Sequence, residues 1–195
     1  QKDGWGVSDL YNTWHSGKWY FEDTPIWLHE VNATGVILSH LRKASAGTGR
    51  SVSENHPYTF DINGESLVAA HNGFFEGTSW HNWNKDHPAT DSYRALSDLA
   101  QKLRESPQDL IPTEMFNEWL SEYNEGSHYA VVLHWRNHVY ALRGKTRTLG
   151  LMRIGNGVLI HTSYSVLKIM YEYAQRLHGL SVEVPLSLAD NALIR

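Results

Sequence analysis

Apolar and polar residues alternate in short runs over most of the chain, and helical spacing takes over in only a few stretches. Trp5 to Tyr11 and Lys18 to Glu22 read as two strands joined by a polar turn through Asn12, His15, Ser16 and Gly17. Pro25 to Val31 is short and ambiguous, one or two helical turns. Gly35 to Leu41 is almost continuously apolar and suits a buried central strand, with a loop over 44 to 57 behind it. Tyr58 to Ile62 and Ser66 to Ala70 flank Asn63-Gly64, the strongest short hairpin signal available. The second of these strands runs into His71-Asn72-Gly73, followed by an irregular segment up to Pro88.

Thr90 or Asp91 caps a helix whose apolar stripe is Leu96, Leu99, Ala100 and Leu103. Pro107 to Pro112 end it, and Thr113 to Tyr123 form a second helix. Two hairpins are predicted next: 128 to 133 with 138 to 142 across Arg136-Asn137, and 149 to 154 with 158 to 161 across Asn156-Gly157. Ser163 to His178 reads as an amphipathic helix with Val166, Ile169, Met170 and Tyr173 inward, ended by Gly179. A last strand is expected over Ser181 to Val184. Strands, helices, strands, helix, strand is the order of an α+β layered domain with largely antiparallel sheets, not of a doubly wound fold. Nothing reads as a linker, so residues 1–195 are expected to form one domain.

Composition narrows the function classes. The 195 residues carry a formal charge of −4 with no basic block, which argues against nucleic acid as partner. No apolar run reaches the roughly 18 residues of a membrane span, and no signal-peptide pattern opens the chain, so a cytoplasmic protein is expected. Eight Trp and ten Tyr point to heavy aromatic packing. There is no cysteine, which excludes disulfides, thiolate metal sites and a cysteine nucleophile among these residues. The opening Gln1-Lys-Asp-Gly-Trp reads as the inside of a domain, so the natural N-terminus is expected upstream.

The candidate chemistry lies in three places. Arg42 follows an apolar strand, where a desolvated guanidinium needs an anion; the partner is either a protein carboxylate or a ligand's. Asn72-Gly73, at a strand end, serves either as a turn or as a pair of donors for an oxyanion. Asp91, at a helix start, is a capping residue or the partner of an ammonium group. His40, His56 and His71 lack the tight spacing of a metal set, and no G-x-S-x-G elbow supports a serine hydrolase; neither a metal nor another cofactor is expected.

Five blocks in order carry a resemblance: Lys2-Asp-Gly-Trp-Gly6, Ser39-His-Leu-Arg-Lys-Ala-Ser45, Asn55-His-Pro-Tyr58, Ala70-His-Asn-Gly73 and Thr90-Asp-Ser92. Together they resemble the class II glutamine amidotransferase domain of the N-terminal-nucleophile hydrolases, in particular its compact stand-alone branch of predicted amidotransferases and γ-glutamyl hydrolases. The resemblance implies a four-layer αββα sandwich. It implies that Arg42 holds a substrate α-carboxylate, Asp91 its α-ammonium, and Asn72 with Gly73 the oxyanion of the tetrahedral intermediate, while His56 and His71 shape the pocket. It further implies glutamine or a γ-glutamyl compound as substrate, with an ammonia-accepting synthetase as partner. Two departures stand out. Lys43 occupies a position where larger relatives often carry an aromatic residue. More seriously, the family's nucleophile is an N-terminal cysteine on a strand ahead of the Asp-Gly-Trp-Gly block, and these residues contain none. The expectation is that a first strand carrying it precedes Gln1; the alternative is a catalytically inactive scaffold that binds an amino acid or serves as an interaction protein.

Overall fold

A computed structural model of the chain describes residues 4–9, 11–17, 35–41, 52–76, 90–123, 128–176, 181–188 and 193–194. The expected strand at 18–22, the helical turns at 25–31, Arg42 and Lys43, and the ending at Gly179 lie outside the described residues.

The longest element is the hairpin that Asn63-Gly64 announces. β4 (Tyr58–Ile62) and β5 (Glu65–Phe74) pair antiparallel around a turn in which both central residues have positive φ, as a type I′ turn requires. β6 (His128–Trp135) and β7 (His138–Arg143) continue the sheet, and the two-residue β11 (Leu193–Ile194) closes its far side in the order β11-β7-β6-β5-β4. Two three-stranded sheets accompany it. One is β2-β1-β3, built from β1 (Trp5–Ser8), β2 (Thr13–Ser16) and β3 (Leu38–Leu41). The other is β10-β8-β9, from β8 (Gly150–Ile154), β9 (Gly157–His161) and β10 (Leu186–Ser187). Among the described residues every strand pair is antiparallel.

Alternation along β5, β6 and β7 gives the five-stranded sheet two buried faces. On one, Leu67, Ala69, Val131, Leu133, Trp135 and Tyr140 meet α1 (Asp91–Glu105) and α2 (Thr113–Ser121) in the main core. The predicted stripe Leu96, Leu99, Ala100 and Leu103 is fully buried there, and Trp119 of α2 donates its indole N–H to the Ala95 carbonyl at 2.7 Å. On the other face, Ala130, Val132 and Ala141 pack with Leu149, Leu151, Ile160 and Leu188. α3 (Tyr164–Arg176) lies against β8 and β9 through Leu167. The result is an αββα layering. At the other end of the sandwich a hydroxyl relay joins the sheets: Thr13 Oγ1 lies 3.1 Å from Ser8 Oγ and 3.0 Å from Thr59 Oγ1 on β4.

Four expectations are corrected. The polar stretch 12–17 is mostly strand β2, because Asp9 makes the turn earlier: its carboxylate accepts the N–H groups of Tyr11 and Asn12 at 3.1 and 2.9 Å. The apolar run 35–41 is not a buried central strand; among the described residues β3 is an edge strand beside β1, with Leu41 half exposed. Residues 181–184 make one bridge, Val182 to Ile154, and the strand follows at 186–187. Finally, α3 turns Leu167 and Ala174 inward, while Ile169 (65% exposed) and Tyr173 (64%) face out with Val166 and Met170. The hairpin β8–β9 offers α3 a narrow seat, in which Leu167 fits over Gly150, and the wider apolar stripe is left uncovered among the described residues.

This orientation is testable by urea unfolding. Leu167→Ala is expected to cost about 2–5 kcal/mol, whereas Ile169→Ser should stay within about 0.5 kcal/mol of the parent. The reverse order of effects would restore the inward stripe.

Candidate functional site

The end of β5 is the focus. Asn72 and Gly73 are not in a turn: they remain paired with Ala130 and Tyr129 of β6. Gly73 has φ +139°, and a Cβ there would come within 1.7 Å of the His128 carbonyl oxygen. Only glycine permits this approach of the two strands. Immediately beyond, the Phe75 N–H donates to Asp91 Oδ2 at 2.9 Å, which brings the first residue of α1 to the strand end.

Asp91 is therefore not the cap. Thr90 is, its hydroxyl accepting the Tyr93 N–H at 3.1 Å. Tyr58 OH gives its single proton to the Glu54 carbonyl at 2.9 Å, so the Thr90 hydroxyl donates to it at 3.0 Å. This relay fixes the start of α1 against β4 and leaves the neighbouring carboxylate for another task. Burial pushes the Asp91 carboxyl above its ordinary value, while the Phe75 and Ser92 N–H groups pull the other way.

His71, on the helix-facing side of β5, is buried; its Nδ1 lies 2.8 Å from Ser92 Oγ and its ring 4.5 Å from that of Phe75. Desolvation, with His40 and Arg147 adding positive charge nearby, lowers its pKa to about 3, against which the His128 carbonyl works weakly. His71 is thus a neutral strut between strand and helix at ordinary pH. His56 stands 4.3 Å from His40, 4.6 Å from Tyr58 and 6.3 Å from His71, ring centre to ring centre. It is seated by β1: a Cβ at Gly6 would meet the His56 carbonyl at 2.0 Å, which accounts for a glycine in the first block. Among the described residues no group of side chains is arranged to hold a metal ion.

One cavity of about 1510 Å³ at this strand end is lined by His56, His71, Asn72, Gly73 and Asp91. Five of the six residues singled out from the sequence are thus brought together, and Arg42 falls outside the described residues. Two contributors were not anticipated. The Phe75 N–H is a backbone group, invisible to side-chain reasoning. Arg147, which also lines the cavity, follows β7 seventy-four residues after Gly73, where no local pattern marks it.

The family model for class II glutamine amidotransferases matches residues 1–155. The chain belongs to that family. Among solved structures, a predicted glutamine amidotransferase from Pseudomonas aeruginosa PA01 superimposes with a TM-score of 0.52 at 15% identity, covering 99% of this chain and 87% of that one. The allosteric regulatory enzyme of purine biosynthesis gives 0.63 at 19% identity over 98% of this chain, which spans 42% of that enzyme. At such identities the likeness is one of fold, the N-terminal-nucleophile hydrolase sandwich that the layering above describes. No curated protein matches the chain. Among the described residues no helix is long and apolar enough to cross a membrane.

The state of His71 can be checked by pH. The unfolded ring takes a proton near 6.5 and the folded one near 3, so protons favour the unfolded chain. Its contribution is complete above pH 6.5 and is lost as pH falls toward 3. Asp91, raised rather than lowered, acts with the opposite sign in both parent and variant. Replacing His71→Asn should therefore flatten the stability profile between about pH 6 and pH 4 by up to about 1.4 kcal/mol per pH unit, the limit for one proton. An unchanged slope in urea titrations would mean that the folded ring is charged.

Proposed function

We propose that the chain is a single domain, residues 1–195, that binds the glutamyl part of glutamine or of a γ-glutamyl amide for hydrolysis of the side-chain amide. Arg42 takes the α-carboxylate, Asp91 the α-ammonium, and Asn72 with Gly73 the oxyanion; His56 and His71 hold the pocket walls. The nucleophile in this reading is an N-terminal cysteine supplied from upstream of residue 1, since the 195 residues contain none. Its thiolate adds to the amide carbon, the C–N bond breaks as the nitrogen takes a proton, and water then cleaves the thioester to glutamate. With glutamine the released ammonia would pass to a synthetase.

The observation that carries the reading is Asp91. A carboxylate held by the Phe75 N–H, lining the same cavity as Asn72 and Gly73, and made uneasy by burial, is a group that gains from a bound cation. The second reading is an amidotransferase scaffold without chemistry, which binds an amino acid or serves as an interaction protein.

Calorimetry with glutamine and glutamate tests the pocket. Binding is expected to vanish in Arg42→Ala and to weaken roughly tenfold or more in Asp91→Asn, which keeps an acceptor for Phe75 but loses the charge. Absence of binding by either ligand would remove the amino-acid site. The mass and N-terminal sequence of the protein isolated from its natural source separate the two readings: an upstream cysteine supports hydrolysis, its absence the scaffold.

A further inference from the structure

Arg147 is a charged group on the cavity wall to which no role has fallen. It belongs to the turn that carries the chain out of β7, and that turn is fastened at several points to the strand end bearing Asn72 and Gly73. The Gly144 N–H donates to the Tyr129 carbonyl at 2.9 Å, and Tyr129 is the partner of Gly73 in the β5–β6 register. Thr146 Oγ1 is bonded to His128 Nδ1, and His128 is the partner of Phe74. Arg143 Nε donates to the carbonyl oxygen of Arg147 itself. The Tyr129 ring stacks on that of Phe75 at 5.6 Å, 9° from parallel, so both sides of the turn's anchorage are packed.

On this support the Arg147 side chain lines the cavity with its Nε buried and without a hydrogen-bond partner. A guanidinium N–H left in that state is costly, because this one of the five donors on a permanent charge has lost water without gaining an acceptor. Asp91 and Glu54 are the acidic side chains that line the cavity among the described residues, and neither forms an ion pair with Arg147. Arg153, the other arginine on the cavity wall, lies near Glu183 at 3.8 Å. Arg147 is thus a cation aimed at a space that an anion would fill.

We infer that Arg147 binds a carboxylate on the amine portion of the substrate, so that the preferred ligand is a γ-glutamyl amino acid and not a γ-glutamyl amide of an uncharged amine. This rests on the glutamyl-site reading above, in which Arg42 and Asp91 take the α-groups and the amide carbonyl lies at Asn72–Gly73. The Asp91 end of that site is approached from the helix layer, through Phe75 and the start of α1. Arg147 stands on the turn that follows β7, whose Gly144 and Thr146 are bonded to Tyr129 and His128, the partner residues of Gly73 and Phe74. Arg147 and Gly73 line the same cavity, and the turn bearing Arg147 is bonded to the β6 residues that pair with Gly73 and Phe74, so in this reading the leaving amine of a ligand whose carbonyl is at Gly73 is assigned to Arg147. A guanidinium there suits a planar carboxylate.

The test compares two ligands that differ in that carboxylate, γ-glutamylglycine and γ-glutamylmethylamide. Residues 1–195 contain no cysteine, and any upstream cysteine is replaced by alanine, so a thiol does not consume either ligand during calorimetry. γ-Glutamylglycine is expected to bind roughly tenfold or more tightly than the methylamide. In Arg147→Met that preference should disappear with the methylamide affinity unchanged, and Arg147→Lys should retain part of it. Thermal melts establish that both variants fold. Equal affinity of the parent for the two ligands, or an unaltered preference in Arg147→Met, would overturn the inference while leaving the glutamyl site in place. Loss of both ligands in folded Arg147→Met would overturn it differently, by assigning Arg147 to the glutamyl carboxylate. If the parent binds neither ligand nor glutamate, the glutamyl site itself is wrong and the inference goes with it.

Discussion

The eight-residue pairing of β5 with β6 is the constraint on which the remaining architecture depends. Its register places Leu67, Ala69 and His71 on the face that α1 and α2 cover, and Val68, Ala70 and Asn72 on the face inside the sandwich. A slip of one residue would exchange those faces and put His71 where Asn72 now stands. The close contact of Gly73 with His128 guards the last turn of the register, because any side chain at 73 would drive the strands apart where the pocket begins.

The polar groups around that strand end are built in two ranks. Tyr58, Thr90 and Ser92 are engaged with one another, with backbone groups or with His71, and serve to hold β4, β5 and α1 in one arrangement. Asp91 and Arg147 line the cavity from different elements: the Asp91 carboxylate accepts the Phe75 N–H from the end of β5, and the Arg147 carbonyl accepts Arg143 Nε–H. Neither bond pairs the charged side chain with an opposite charge, so position is kept without neutralisation. That is a sound arrangement for recognising a small zwitterion, whose own charges complete the pairing. A buried neutral histidine fits the same frame, since His71 braces strand against helix without adding a charge to the pocket.

Much of the fold was legible in the chain because it is made of local signals. Asn63-Gly64, Arg136-Asn137 and the glycines near 155–157 each mark a turn between runs of strand-forming residues, and all three hairpins formed there. Thr90 and the stripe from Leu96 to Leu103 marked α1 and its buried face. The misreadings arose where burial depends on neighbours. β3 is apolar enough for a sheet centre and lies at an edge; α3 has its widest apolar stripe pointing away from the strands that seat it. Hydrophobicity along a segment says that a face prefers cover, not which element supplies it.

The same division holds for the site. The sequence by itself determined that Asn72-Gly73, Asp91 and the histidine blocks occur in the order of a class II amidotransferase, because ordered short motifs survive without any knowledge of distance. It also determined that no cysteine among these residues performs the attack. Only the tertiary structure decided that Thr90, not Asp91, caps α1, that the Phe75 N–H holds the carboxylate, and that Gly73 stays in the sheet. Only it brought Arg147 to the same cavity. The reason is physical: a residue's type sets which partners it can satisfy, whereas the partner it meets is set by strand register and turn geometry, which couple positions far apart in the chain.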